Sequence, residues 1–305
     1  MLRVIELFGG IGAMTEALKR LGIDFKVVDY VEIDKYACAS YNAINGTDFK
    51  PQDVCEWDKD IECDLIMHGS PCQDFSLAGM QKGGDKGSGT RSSLMWETVR
   101  IVNKLKPKYV IWENVKNVIS EAHWHNFEKY LNTMASMGYA NAWQVMNAKD
   151  YGVPQNRERV FVVSVLNGKT VYESFNLFGD TEKKLDFEFP KPSPLTKKLK
   201  DVLEDEVDEK YFLTDELVES FQKRSNEQKN DGNGFRFAPS DGDGIAKAIT
   251  TKPGGRMTDN FLEEPTPVLV EKWGEDQPQN RCGSFDNGKR LQGIEPMGVK
   301  CGGYT

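Results

Sequence analysis

Short apolar runs alternate with amphipathic stretches through the first half of the chain. Residues 2–7, "LRVIEL", have the length and apolar character of a buried strand, and "FGGIG" (8–12) follows as a tight glycine turn. In "AMTEALKRL" (13–21), Ala13, Met14, Ala17, Leu18 and Leu21 fall on one helical face, and Gly22 stands where a helix C-terminus favours glycine. Further strands are predicted at 25–32 ("FKVVDYVE"), 63–68 ("CDLIMH"), 108–113 ("KYVIWE") and 158–166 ("ERVFVVSVL"). Helical periodicity marks 92–105 and 125–137.

Alternating strands and helices with short links predict a parallel sheet covered on both faces. In such sheets ligands gather at the carboxyl ends of the strands. The glycine turn, Glu32, Cys72 and Glu113 all fall at that edge. Beyond about residue 167 the periodicity fades into charged, proline-dotted and glycine-rich sequence such as "NDGNGFRFAPSDGDG", which predicts a second, loop-rich region.

Composition narrows the setting. A chain of 305 residues suits one large domain, or one domain with a smaller companion. With 39 basic against 47 acidic residues the net charge is −8, so a polyanionic partner would need a local basic cleft. Six irregularly spaced cysteines (38, 55, 63, 72, 282, 301) with no CxxC pair, and no signal peptide, suggest free thiols in a reducing compartment. No apolar run reaches the roughly 18–20 residues of a membrane span. The expectation is a soluble cytoplasmic protein with no membrane partner. His123 and His125 imitate a metal pair but lack a third ligand nearby, and are read as structural, with no metal.

Each candidate group has two readings. The glycine turn is either an ordinary strand-to-helix connection or a loop whose exposed N–H groups meet the polar tail of a nucleotide-like cofactor. Glu32, about 20 positions on, suits a ribose diol. Asp53 is a solvated loop carboxylate or an acceptor for an adenine amino group. Cys72, in "GSPCQDFS" just past an apolar run, is a packed cysteine or a nucleophile. The glycine-rich "GMQKGGDKGSGTRSS" (79–93) reads as a lid over it. Glu113 is salt-bridged, or else protonated so that it donates to a ring nitrogen. Arg157 and Arg159, two apart before a strand, are solvated or share one face toward a phosphate or carbonyl oxygen.

Taken together, "FGGIG", "EIDK", "GSPCQDFS", "ENVKN" and "QNRER", in this order, resemble the motifs of the DNA cytosine-5 methyltransferases of bacteria and phages over residues 1–166. The resemblance implies an α/β fold: a Rossmann-like, doubly wound, S-adenosylmethionine-dependent methyltransferase domain (1–166) plus a smaller, loop-rich target-recognition region (167–305). It implies methyl transfer to carbon 5 of a flipped-out cytosine in duplex DNA, with Cys72, Glu113, Arg157 and Arg159 catalytic. Phe8, Gly9, Gly10, Ile11, Gly12, Glu32, Ile33, Asp53, Val54, Pro71 and Leu94 would hold S-adenosylmethionine, leaving S-adenosylhomocysteine as product. Gln73, Ser76, Lys82, Lys86 and Arg91 would contact DNA. A role in restriction-modification fits the same family.

Two C-terminal motifs usual in the family are not found, and the last residues are "GIEPMGVKCGGYT". Either the chain is truncated or a second polypeptide supplies them, and the isolated chain is then expected to be weakly active or inactive. A tRNA cytosine-5 methyltransferase and a non-catalytic DNA-binding subunit of a split enzyme are the alternatives.

Overall fold

The computed structural model describes residues 1–71, 94–174, 181–204, 207, 212–230, 237–248, 259–265 and 289–293. The chain divides into two compact units, residues 1–146 with 158–191, and residues 147–157 with 192–305.

The first unit is built on a six-stranded sheet. In chain order it contains β1 (Leu2–Leu7), α1 (Ala13–Arg20), β2 (Phe25–Val31), α2 (Lys35–Asn45), β3 (Leu65–His68), α3 (Met95–Leu105), β4 (Tyr109–Val115), α4 (Trp124–Ser136) and β5 (Tyr139–Asn147). After the two-residue strand β6 (Gln155–Asn156), which belongs to the second unit, comes β7 (Glu158–Leu166). The sheet order is β2-β1-β3-β4-β7-β5. Strands β2, β1, β3 and β4 run parallel, as the apolar runs predict for strands buried on both faces.

One strand departs from the expected all-parallel sheet: β7 pairs antiparallel with β4, from Tyr109↔Val165 to Val115↔Arg159. A parallel return needs a crossover of a dozen or more residues, usually helical. Between β5 and β7 stand a 3-10 turn (Ala148–Tyr151) and the short β6, so the chain enters β7 without such a helix. This reversal places the start of β7 beside the carboxyl end of β4.

Helix α2 was not among the predicted elements. Only Cys38 and Tyr41 of its eleven residues are buried, so its apolar stripe is thin. Its ends are nonetheless well marked: the Asp34 carboxylate accepts from the Tyr36 and Ala37 N–H groups, and Gly46 closes it in a left-handed conformation.

The main core lies between the sheet and its helices, with Ile5, Leu7, Ile66, Met95, Ile101, Val110, Trp112, Phe127 and Tyr130 among its buried members. The compact units also differ from the expected boundary at 166. The hairpin of β8 (Thr170–Ser174) and β9 (Thr181–Leu185) belongs to the first unit, where Leu185 packs with Ala140, Ala142, Val163 and Val165.

In the second unit, β6 pairs with β10 (Ala246–Lys247), Gln155 opposite Ala246 and Asn156 opposite Lys247, which ties residues 147–157 to sequence far along the chain. It also holds α5 (Asp215–Asn230) and the antiparallel pair β11 (Phe261–Pro265) and β12 (Lys289–Gly293). Phe221, Phe237 and Phe261 form an aromatic cluster there, with centroids 5.4–5.8 Å apart. No helix among the described residues is long and apolar enough to cross a membrane.

Candidate active site

Strand β1 has neighbours on both sides, β2 and β3, and the chain leaves it first toward one and later toward the other. Such a switch point opens a crevice at the carboxyl ends of the strands. The loops after β1 and β3 meet in it: the Gly69 N–H donates to the Leu7 carbonyl at 3.3 Å.

The glycine loop is shaped by two tyrosines. Gly12 sits at φ 92°, and an added Cβ would lie 2.8 Å from the Tyr41 ring. At Gly9 a Cβ would lie 2.6 Å from the Tyr30 ring. The Tyr30 hydroxyl donates to the Gly10 carbonyl at 2.5 Å, and the two rings stack at 3.9 Å. Above Gly10 the space is open, with nothing within 4 Å of an ideal Cβ. Phe8, itself at positive φ, packs against the core, and Ile11 is exposed.

Glu32 stands at the end of β2 beside this opening. Its Oε2 accepts from the Gly10 N–H at 3.1 Å and its Oε1 from the Asp34 N–H at 2.9 Å, which fixes the plane of the carboxylate. The Gln52 N–H donates to the Glu32 carbonyl at 2.8 Å and so brings the Asp53 loop alongside. The Asp53 Oδ1 accepts from the Cys55 N–H at 2.8 Å. Ile33 is exposed, whereas Val54 is buried in the core. Leu94 stands at the N-terminus of α3 and packs against that core.

On the other side of the crevice, two residues of β4 anchor the segment that leads to Cys72. The Trp112 Nε1–H donates to the Ser70 hydroxyl at 3.1 Å, and the Asn114 amide donates to the Ser70 carbonyl at 3.4 Å. Between them on the strand, Glu113 points to the opposite face. Its Oε1 pairs with Arg159 Nε at 3.1 Å, and both side chains are largely buried. Register explains the pair: Phe161 lies opposite Glu113, so Arg159 is the diagonal neighbour on the same face. The pair gives Glu113 a charged partner on its own face of the sheet. Its Oε2 lies 3.8 Å from an ideal Cβ at Gly69, facing the Gly69–Pro71 segment.

Arg157 lies just before β7, which begins at Glu158. Its N–H donates to Asn147 Oδ1 at 3.0 Å and its carbonyl accepts from the Ala148 N–H at 3.1 Å, within the second unit. Cys72, Gln73, Ser76, Lys82, Lys86 and Arg91, and with them the expected lid, lie outside the described residues.

The described cysteines offer a contrast. Burial pushes the Cys63 thiol up to about 11 and also raises those of Cys38 and Cys55. All three are held as thiols, the wrong form for a nucleophile at neutral pH. His68, buried at the end of β3, is held neutral by burial, far below its ordinary value at about 3. Its Nε2 lies 3.2 Å from the Tyr130 hydroxyl and its ring is stacked on Trp112. Among the described residues no group of three or more His, Cys, Asp or Glu is placed to hold a metal ion.

Glu6, inside β1, is a feature the apolar pattern concealed. It is fully buried, its Oε2 accepts from the Thr15 hydroxyl, and Thr15 in turn lies 3.1 Å from the Tyr41 hydroxyl. Burial pushes its carboxyl up to about 7, against the opposing pull of Thr15 and of the Met14 and Thr15 N–H groups at the start of α1. The unfolded chain releases this proton near 4.5 and the folded chain near 7. Glu6 thus contributes stability that is complete below about 4.5 and lost as the pH rises through 7. In Glu6→Gln that loss is expected to vanish, leaving the variant more stable than wild type above pH 7 by on the order of 3 kcal/mol. Urea unfolding at pH 4.5 and pH 8 measures it, and an unchanged difference between the proteins at the two pH values would contradict it.

The family model for C-5 cytosine-specific DNA methylases matches residues 2–295. The chain belongs to this family. It is 34% identical to the type II methyltransferase M2.ScrFI of Lactococcus lactis subsp. cremoris, over 72% of this chain and 72% of that protein. It is 33% identical to the orphan methyltransferase M.SPRI of Bacillus phage SPR, over 83% of this chain and 64% of that one. The type II methyltransferase M.NlaX of Neisseria lactamica is 31% identical and is covered over 80% of its length. Among solved structures, the S. pombe Dnmt2 methyltransferase superposes with a TM-score of 0.56 at 21% identity, covering 82% of this chain and 71% of that one. The Entamoeba histolytica methyltransferase EhMeth gives 0.58 at 19% over the same shares. At these identities the structures establish a shared fold.

Proposed function

We propose that this chain transfers a methyl group from S-adenosylmethionine to carbon 5 of a flipped-out cytosine in duplex DNA, through a covalent adduct at Cys72. The observation that carries the proposal is the convergence of the glycine loop, the Ser70–Pro71 segment and the Glu113–Arg159 pair on one sheet edge. Family membership sets the reaction class.

The residues present fit the cofactor. The open space over Gly10 would take its polar tail, the oriented Glu32 carboxylate would take the ribose hydroxyls, and Asp53 would accept from the adenine amino group. When bound, it supplies an electrophilic methyl on a sulfonium sulfur.

Carbon 5 of cytosine is a weak nucleophile, so the ring must first gain electrons. The Cys72 thiolate adds to carbon 6, and the electron pair it displaces flows toward ring nitrogen 3 and is available at carbon 5. Glu113 shares a proton with ring nitrogen 3 and absorbs the developing charge, while Arg159, already beside Glu113, holds the exocyclic oxygen. After carbon 5 has been methylated, a base removes its proton, the electron pair re-forms the 5,6 double bond, and Cys72 leaves as thiolate. A stacked cytosine exposes neither carbon to these groups, so the base leaves the helix at a cost of a few kcal/mol. Lys82, Lys86 and Arg91 are proposed to meet the phosphates.

The proposal is tested by incubating the chain with methyl-labelled S-adenosylmethionine and either mixed-sequence duplex DNA or tRNA, then digesting to nucleosides. Label in 5-methyldeoxycytidine is expected. Label only in tRNA would transfer the reading to the RNA branch, and none from either would point to a partner polypeptide for turnover.

A further inference from the structure

The Asp53 loop poses a problem of local structure. From Thr47 to Asp64 the chain contains neither helix nor strand, so no ladder of backbone bonds fixes it. Yet Val54 and Trp57 within it are buried. Side chains order it, and three of the bonds end on one residue, Asp29.

Asp29 lies in the interior of β2 and is 4% exposed, an unusual place for a carboxylate. Both oxygens are saturated. Oδ1 accepts from the Tyr30 N–H at 3.1 Å and from Gln52 Nε2 at 2.9 Å. Oδ2 accepts from Trp57 Nε1 at 2.7 Å and from Lys59 Nζ at 2.8 Å. Three of the donors come from the irregular segment, Gln52 before the turn that holds Asp53 and Val54, and Trp57 and Lys59 after it. From α3, Arg100 Nη2 bonds to the Val54 carbonyl at 3.0 Å.

A buried carboxylate costs several kcal/mol unless its lone pairs are satisfied, so this one is stable only with the loop docked. The same bonds that satisfy the charge fix the path of residues 52–59. Gln52 is the hinge of the arrangement: its side chain binds Asp29 and the Tyr30 carbonyl at 2.7 Å, while its N–H binds the Glu32 carbonyl. The ribose acid and the adenine acceptor thus share one anchor.

We propose that Asp29 is a positioning residue for adenine recognition, holding the 52–59 segment so that the Asp53 carboxylate meets the adenine amino group. The inference rests on the cofactor assignment made above. Asp29 touches no substrate and acts through Gln52, Trp57 and Asp53.

The test is titration calorimetry on the whole chain with S-adenosylhomocysteine and with its inosine-base analogue, which carries an oxo group where adenine has its amino group. Wild type is expected to prefer the adenine ligand by about 10- to 100-fold, the range of a hydrogen bond to a charged group. In Asp29→Asn, the adenine ligand is expected to weaken about tenfold and the inosine ligand less than twofold, so the preference collapses. Trp57→Phe, which removes one donor and keeps a ring in the core, is expected to lower the preference about threefold; it carries the test if Asp29→Asn does not fold. Equal weakening of both ligands would make Asp29 merely structural, and an intact preference would overturn the proposal outright. Wild type that binds neither ligand would instead remove the cofactor assignment itself.

Discussion

Cys72→Ala is expected to abolish methyl transfer, a loss of at least ~10⁴-fold, while the dissociation constant for S-adenosylhomocysteine stays within about twofold of wild type. Loss on that scale is what removal of a covalent nucleophile produces when binding survives. Without addition at carbon 6, carbon 5 has no electron pair to offer, and no binding contact compensates for that. Among the described residues no other thiol is a substitute: desolvation raises Cys38, Cys55 and Cys63, which disfavours their thiolates. Glu32 and Gly10, the proposed cofactor groups, are held by bonds to each other and to Tyr30, which the substitution leaves alone. Measuring single-turnover transfer alongside cofactor binding separates the chemical loss from misfolding. Residual transfer above about one per cent of wild type would contradict the assignment.

Glu113→Gln is expected to lower kcat by about 10²- to 10³-fold with little change in cofactor affinity, the size of effect seen when one group stabilising developing charge is removed. Glutamine keeps the volume and can still accept from Arg159, so the 3.1 Å contact has a neutral successor. What it cannot do is share a proton with ring nitrogen 3. Steady-state kinetics at saturating cofactor, with DNA varied, measures the effect. A kcat within fivefold of wild type would mean that Glu113 serves only to hold Arg159.

Strands β1 to β4 were legible in the sequence because parallel strands buried on both faces read as unbroken apolar runs. Their carboxyl ends could then be located, and with them the glycine loop, Glu32 and Glu113. The direction of β7 was not legible, since an apolar run carries no sign of which way it pairs. That direction decides the partner of Glu113, so the Glu113–Arg159 pair could be listed as residues but not as a contact. Strand β5, only partly buried along "YANAWQVMN", lacked both the unbroken run and the clean alternation that would have marked it.

The charges inside strands were concealed for a different reason. Glu6 and Asp29 each interrupt an apolar run by a single residue, which periodicity tolerates without comment. Physically they are the exceptions to examine first, because an ionisable group inside a strand persists only with partners. Thr15 and Tyr41 for Glu6, and Gln52, Trp57 and Lys59 for Asp29, are distant in sequence, and only the fold brings them together.

The central claim, covalent catalysis at Cys72 on a cytosine in DNA, is tested most directly by trapping. The chain is incubated with S-adenosylmethionine and mixed-sequence duplex DNA carrying 5-fluorocytosine, whose fluorine cannot leave as the carbon 5 proton does, so the cysteine adduct is not resolved. A denaturation-resistant protein–DNA adduct that forms with wild type and is missing with Cys72→Ser is the expected result. An adduct of equal yield with Cys72→Ser would contradict the account, as would methylation of ordinary duplex DNA by wild type with no adduct on the fluorinated strand.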